Sequence, residues 1–202
     1  MPTTIKGVWC PSLRLFRPLL NNWITANVRF VRYWQGDLPW WYNERASISV
    51  LAGAAWMTGG LAFEEYTAPK RTGKKRHPTY SGRVDLYLKV KEEQFIAEAK
   101  YYWSGATSVS AATSDNLREK LKEACDGIRI CPRLRQRKLG ILFATPYIAK
   151  SQKTRVDELA RDWVAAIRSV KCSCCAWVFP KEYRYMGGQY VFPGAAVLIQ
   201  EV

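Results

Sequence analysis

Asp85 and the tripeptide Glu98-Ala99-Lys100 are residues whose types and spacing could do chemistry. Asp85 and Glu98 carry carboxylates, the hard oxygen ligands that Mg²⁺ prefers, and the Ala99 carbonyl could supply a third ligand. A metal bound there would polarise a phosphate group and lower the pKa of a bound water. Lys100 could hold or deprotonate that water and stabilise charge on phosphorus, because lysine pKa values shift readily on burial. These residue types suit metal-assisted phosphodiester hydrolysis.

Two predicted strands would carry these residues. Apolar and polar side chains alternate over residues 84–91, which is the pattern of a half-buried strand. A turn at Glu92-Glu93 then leads into a second predicted strand over residues 94–102. Because the side chains of a strand alternate between its two faces, Glu98 and Lys100 share one face.

The register of this hairpin would bring the two acids and the lysine together. If the turn is a two-residue loop, Lys91 pairs with Gln94, and Asp85 lies opposite Lys100 and diagonal to Glu98, within about 7–8 Å. A shift by an even number of residues keeps all three side chains on one face. Burying these charges without a ligand would carry a large desolvation cost. Spacing alone also allows an alternative, in which Asp85 and Lys100 form a structural ion pair on a surface sheet.

Further elements are predicted on both sides of this hairpin. Asn43 is suited to cap a helix, Glu44 to its first turn and Gly59-Gly60 to its end. The other predictions are a strand over 61–67, a helix over 115–130, a strand over 138–145, a helix over 154–170 and strands over 176–179 and 195–199. This order indicates an α/β sandwich with a mixed central sheet.

Two segments around the acids resemble the core of the PD-(D/E)XK nuclease superfamily, which includes restriction endonucleases, resolvases and repair nucleases. The segments are Gly82-Arg83-Val84-Asp85-Leu86-Tyr87-Leu88 and Phe95-Ile96-Ala97-Glu98-Ala99-Lys100. The family signature is an Asp after a turn, followed about ten to fifteen residues later by a hydrophobic strand that ends in Glu/Asp-x-Lys. Val84 replaces the proline that precedes the Asp in the signature. The resemblance covers roughly half of the chain, over residues 44–145.

The resemblance implies a fold, an activity and a set of site residues. The fold would be a three-layer αβββαβ restriction-endonuclease-like core, in which helices flank a mixed central sheet. The activity would be that of a nuclease, with endonuclease action expected, that uses Mg²⁺ or Mn²⁺ as its substitute. Asp85, Glu98 and the Ala99 carbonyl would hold the metal. Lys100 would act in catalysis, and Glu44 on the first core helix would support the metal site.

The charge of the chain favours a polyanionic partner. It has 31 Lys and Arg against 17 Asp and Glu, a formal net charge of +14, and nucleic acid is the commonest polyanion in a cell. The residues expected to contact phosphates are Lys70, Arg71, Lys74, Lys75, Arg76, Arg83, Arg133, Arg135 and Arg137. DNA is the expected partner, with RNA as the other candidate. The alternative function is a non-catalytic nucleic-acid-binding protein that keeps the nuclease fold, and a third is a small-molecule or protein-interaction domain with a basic surface.

Histidine and cysteine usage exclude several kinds of site. His77 is the one histidine of the chain, so a site that needs two imidazoles cannot form, and a Ser-His-Asp hydrolase would have to use His77 as its base. It lies in a cationic loop, where a solvated side chain is expected. Cys172 and Cys175 have C-x2-C spacing, but a second well-spaced pair of ligands is missing. Buried free thiols are therefore expected, with structural zinc as the alternative.

Residues 1–41 differ from the rest of the chain, because five of the nine tryptophans lie there among arginines. Such a segment could stack bases, or it could pack its indoles on the main domain. We expect the second: an N-terminal arm over 1–41, packed on a nuclease domain over 42–202. No segment resembles a signal peptide, and the longest weakly polar run, 48–63, is shorter than the ~20 residues of a membrane helix. The expectation is a cytoplasmic protein without a membrane partner, in which two subunits could pair as a homodimer.

Overall fold

The computed structural model describes residues 4–33, 37–71, 79–132, 135–180 and 185–202. The helices in these ranges are α1 (Arg17–Tyr33), α2 (Glu44–Met57), α3 (Ala111–Arg129) and α4 (Val156–Ser169). The strands are β1 (Ile5–Trp9), β2 (Leu61–Arg71), β3 (Thr79–Val90), β4 (Glu93–Gly105), β5 (Arg137–Ala149), β6 (Cys174–Phe179), β7 (Tyr185–Gly187), β8 (Tyr190–Phe192) and β9 (Ala195–Glu201). None of these helices is long and apolar enough to cross a membrane.

One mixed sheet organises these strands. Seven of them lie side by side in the order β1, β6, β9, β5, β4, β3, β2. β4 and β5 run parallel and are joined through α3, whereas the other neighbouring pairs in this row are antiparallel. β7 and β8 form a hairpin whose second strand pairs with the end of β5. The expected mixed α/β architecture is confirmed, and the expected succession of helix, three strands, helix and strand runs from α2 to β5.

Helices cover both faces of the sheet and enclose two large hydrophobic cores, and a smaller third cluster contains Val84, Ile96 and Ile128. Leu139, Ile141 and Phe143 of β5 belong to one core, together with α1 and α2. Leu142 and Ala144 of the same strand belong to the other core, together with α3 and α4. Burial on both faces explains why β5 is a continuous apolar run and does not alternate with polar residues.

Local signals at both ends of α2 fix its length. The Asn43 side chain accepts a hydrogen bond from the Ala46 backbone N–H at 3.0 Å, as expected of an N-cap. At the other end Gly59 has a φ of +77°, a left-handed conformation that favours glycine. A Cβ on Gly60 would lie 2.4 Å from the carbonyl oxygen of Lys89, so the chain passes β3 too closely for a side chain. The predicted start and end of this helix are confirmed.

Residues 5–33 supply a strand and a helix that the sequence analysis did not assign. β1 pairs with β6 at one edge of the sheet, and α1 packs against α2. Trp23 of α1 is buried in the core, and so is Trp40, which precedes α2. The spacing of Leu20, Trp23, Ile24 and Val31 is helical, but the aromatic and basic composition of the segment obscures it.

Two other boundaries differ from the predictions. β2 continues to Arg71, beyond the predicted 61–67, because it stays paired with β3. As an edge strand it tolerates Pro69, which has no N–H to donate. α3 begins at Ala111 and not near residue 115, because Ser110 and Thr113 form a capping box at its N-terminus.

The cysteines are free thiols, and all six are buried, as expected. Cys10 and Cys174 belong to the core of α1 and α2, whereas Cys172 and Cys175 belong to the core of α3 and α4. The sheet separates these two pairs, so the four sulfurs do not converge on one ion. The zinc alternative therefore has no support in this part of the chain.

Candidate functional site

The pairing of β3 with β4 sets the position of Asp85. It runs from Val90 with Glu93 to Leu86 with Ala97, so the turn lies at residues 91–92 and not at 92–93. Lys91 has a φ of 54° and itself takes up the turn, which shifts the register by two residues. The predicted pairing of Lys91 with Gln94, with Asp85 opposite Lys100, is therefore wrong.

Continued by one residue, the observed register sets Asp85 opposite Glu98. Because the shift from the prediction is even, the register by itself would keep Asp85, Glu98 and Lys100 on one face.

Asp85 marks the point at which β3 separates from β4. The ladder between the two strands ends at Leu86 and Ala97. Beyond it, Asp85 Oδ2 accepts a hydrogen bond from the backbone N–H of Ala99 at 2.7 Å. The carboxylate thus takes the place of a neighbouring strand on this edge of β4. Since the N–H and C=O of one strand residue point to the same edge, the Ala99 carbonyl lies on this open edge too.

A break in β2 accompanies the one in β3. Pairing of these strands skips Glu65 and Asp85, although it continues on both sides of them. Leu86 is buried in the core of α1 and α2, whereas Val84 is buried with Ile128 of α3 on the other face of the sheet. Glu65 has a φ of 55°, a left-handed conformation that is rare for a residue with a side chain. The side chains of both strands therefore change from one face of the sheet to the other at this point, and Asp85 does not follow the regular alternation.

Glu98 is the one charged residue among the buried polar side chains of the described residues, with 8% of it exposed. It lies against α3 at Gly127, where an added Cβ would come 3.4 Å from Glu98 Cγ. The Lys70 ammonium of β2 donates a hydrogen bond to Glu98 Oε1. Both side chains are largely shielded from water, at 13% and 11% exposure. Lys70, which the sequence analysis expected to contact phosphates, is therefore a member of this site with its ammonium bound to Glu98.

The pKa shifts of this pair follow from burial and neighbouring charges. Burial raises the pKa of Glu98, the hydrogen bond from Lys70 opposes this, and the negative charge of Asp85 raises it further. Burial acts to lower the pKa of Lys70, but its hydrogen bond and attraction to Glu98 outweigh that, so its pKa is raised. Glu98 is therefore a carboxylate that depends on a nearby cation for its charged form.

Glu44 joins the same electrostatic cluster from the first turn of α2. Burial raises its pKa, Lys100 acts to lower it, and Asp85 raises it. The backbone N–H of Tyr101 also interacts with the Glu44 carboxylate and lowers its pKa. Ala99 and Tyr101 are two residues apart, so their N–H groups point to the same open edge of β4. This edge thus holds two carboxylates, one from β3 and one from α2.

The cluster comprises three carboxylates and two ammonium groups from four elements: Glu44, Asp85, Glu98, Lys70 and Lys100. Sequence reasoning selected four of them for this site and missed Lys70 as a member. A signal for Lys70 exists in its even spacing from Ala68, which is buried on the α3 face. Using it requires knowing that β2 continues past Pro69.

The donor set suits a hard divalent cation. Asp85 and Glu98 offer carboxylate oxygens at facing positions, and the Ala99 carbonyl lies on the same edge. Mg²⁺ keeps several waters and takes only one or two carboxylates, so a complete cage of protein ligands is not required. In the described ranges, no three His, Cys, Asp or Glu side chains form a group that could hold a metal ion. Any metal bound here would thus depend on two carboxylates, a carbonyl and water.

The residues expected to contact phosphates have different environments. Arg83 is 69% exposed, with its guanidinium 3.0 Å from Glu65. Arg137 donates two hydrogen bonds of 2.6 Å to Glu201 and lies over the ring of Phe95, so its charge is committed within the fold. Arg135 is exposed. Lys74, Lys75, Arg76, His77 and Arg133 lie outside the described residues, and so does the side chain of Arg71.

Comparison of the chain with protein families, with curated proteins and with solved structures finds no match in any of the three.

Proposed function

We propose that this chain is a Mg²⁺-dependent nuclease that hydrolyses phosphodiester bonds in DNA through a PD-(D/E)XK-type site. The observation that carries the proposal is that the carboxylates of Asp85 and Glu98 interact where β3 leaves β4, and that Glu44 interacts with Asp85 and Lys100. The order α2, β2, β3, β4, α3, β5, with β5 parallel to β4, supports the resemblance drawn from the sequence. A net charge of +14 supports a nucleic-acid substrate.

The residues of the chain have distinct parts in such a reaction. When bound, the divalent cation supplies Lewis acidity toward the phosphate and toward its bound water. The Ala99 N–H fixes the orientation of Asp85, and Gly127 leaves room for Glu98 beside α3. Lys100 is a compact cation whose charge acts on Glu44, and it is suited to hold the attacking water and to stabilise negative charge on the phosphate. Glu44 adds a second carboxylate to the open edge of β4, and the positive charge of Lys100 acts to lower its pKa.

Nicking of supercoiled plasmid in Mg²⁺ tests this proposal. Lys100→Ala is expected to lower the rate by about 100-fold or more, since it removes a charge beside the reacting phosphate. Lys89→Ala is the matched control, because Lys89 lies on β3 in an ion pair with the exposed Glu92 and outside the cluster. Its nicking rate should equal that of the wild type, and both variants should unfold at the wild-type temperature. Equal behaviour of wild type and Lys100→Ala across DNA and RNA substrates would overturn the catalytic proposal.

A non-catalytic nucleic-acid-binding protein is the second candidate, and the ion pair of Lys70 with Glu98 is the observation that favours it. That pair satisfies one of the two proposed metal ligands without a metal. This candidate predicts salt-sensitive DNA binding without Mn²⁺ binding at Asp85 and Glu98. The nuclease proposal predicts salt-sensitive DNA binding and also Mn²⁺ binding at Asp85 and Glu98.

A further inference from the structure

Lys70 is the member of the charge cluster that the proposed reaction does not use. It lies near the end of the edge strand β2, and its ammonium crosses β3 to reach Glu98 on β4. Asp85 also acts on it, since its negative charge helps to raise the pKa of Lys70. The ammonium is thus bound to Glu98 and attracted by Asp85, the two carboxylates that would bind the metal.

The path of the Lys70 side chain depends on Gly82 of β3. A Cβ added at Gly82 would lie 2.8 Å from Lys70 Cδ and 2.9 Å from Lys70 Cγ. Real Cβ atoms essentially never approach so closely, so the lysine stem passes over β3 only where a side chain is missing. The two residues together place a cation at Glu98.

We infer that Lys70 is an internal counter-cation of this site, which occupies Glu98 until a divalent cation displaces it. This inference rests on the metal site of the proposed function. A divalent cation and an ammonium that use the same carboxylates repel each other at close range. Metal binding is therefore coupled to the breaking of the ion pair between β2 and β4, and this coupling weakens the metal affinity of the wild type.

Titration of the protein with Mn²⁺ alone, with the heat of binding measured by calorimetry, tests the inference. Lys70→Met keeps the stem and removes the charge, and it should bind Mn²⁺ about tenfold or more tightly than the wild type. Gly82→Ala keeps the charge but blocks the path of the stem, and it should also tighten Mn²⁺ binding. Lys89→Met, the control, removes a lysine from a surface ion pair on β3 and should leave the affinity unchanged.

Loss of the ion pair also leaves Glu98 buried beside Asp85, so Lys70→Met is expected to unfold at a lower temperature than the wild type without metal. Mn²⁺ should raise its unfolding temperature more than that of the wild type. If Lys70→Met does not fold, Gly82→Ala decides the question. The inference would be overturned if the folded variants bind Mn²⁺ no more tightly than the wild type does. The absence of Mn²⁺ binding to all of these proteins would overturn it as well. Tighter binding without plasmid nicking would uphold it and count against the proposed nuclease activity.

Discussion

Glu98 is the buried carboxylate of the site, and its charge interacts with both an ammonium group and a second carboxylate. It is buried between Gly127 of α3 and the Lys70 ammonium, and the charge of Asp85 acts on it. Alternation along β4 is enough to predict that Glu98 and Lys100 share a parity, because that property is local. The contact with Lys70 is different, since it joins residues 28 positions apart across an intervening strand. Such a contact depends on tertiary packing and on the missing side chain at Gly82.

Metal affinity should fall on acidification at a higher pH than ordinary carboxylates would give. Burial raises the pKa of Glu98, one of the two carboxylates proposed to bind the metal, so this residue needs a higher pH to become ionised. A ligand must be deprotonated to bind, and an ordinary Glu has a pKa of about 4.3. Mn²⁺ titrations from about pH 8 to about pH 5 should show affinity declining well before that value is reached. An Mn²⁺ affinity that stays constant down to about pH 5 would contradict a raised pKa at Glu98.

The paired break of β2 and β3 is the element that makes the site. The break lies between two pairs of residues, Glu64 with Leu86 and Tyr66 with Val84, and the side chains of both strands change face across it. As a result, the Asp85 carboxylate can bind the edge of β4. The helix α2 is predictable from the sequence because its caps are local, whereas this break is not. It depends on positive φ at Glu65, a residue type that gives no such signal.

Backbone strain at Glu65 can be measured with two substitutions. Glu65→Ala and Glu65→Gly both remove the ion pairs with Arg45 and Arg83, and these are exposed pairs that contribute little. Only glycine relieves the left-handed conformation. Glu65→Gly should therefore exceed Glu65→Ala in free energy of unfolding by about 1 kcal/mol, measured by denaturant titration. An alanine variant as stable as the glycine variant would show that no strain is stored there.

The charge of the whole molecule exceeds what its internal ion pairs use. Composition alone predicts a basic surface, but it cannot tell which cations are free. Arg137 shows this limit, because sequence proximity to Arg135 suggested one shared role. Glu201 and Phe95 instead hold Arg137 in the fold, while Arg135 is exposed. Partner residues that arrive from the far end of the chain, such as Glu201, have no local signature.

Salt dependence of DNA binding separates these two arginines. The logarithm of the association constant should fall linearly with the logarithm of salt concentration, because phosphate contacts release counterions. Arg135→Ala should reduce this slope by about 1 if the exposed side chain contacts phosphate. Arg137→Ala should leave the slope unchanged and lower the unfolding temperature. Fluorescence anisotropy with labelled DNA, in the Lys100→Ala background, provides the measurement, and an unchanged slope in Arg135→Ala would remove Arg135 from the interface.

The most direct test of the account is where Mn²⁺ binds in a crystal of this protein. Anomalous scattering at the manganese edge would locate the ion independently of any activity. The account predicts a peak bonded at about 2.1 Å to one oxygen of Asp85 and one of Glu98, with the Lys70 ammonium moved off Glu98. Saturating Mn²⁺ with no peak between these carboxylates, and with Lys70 still bound to Glu98, would contradict it.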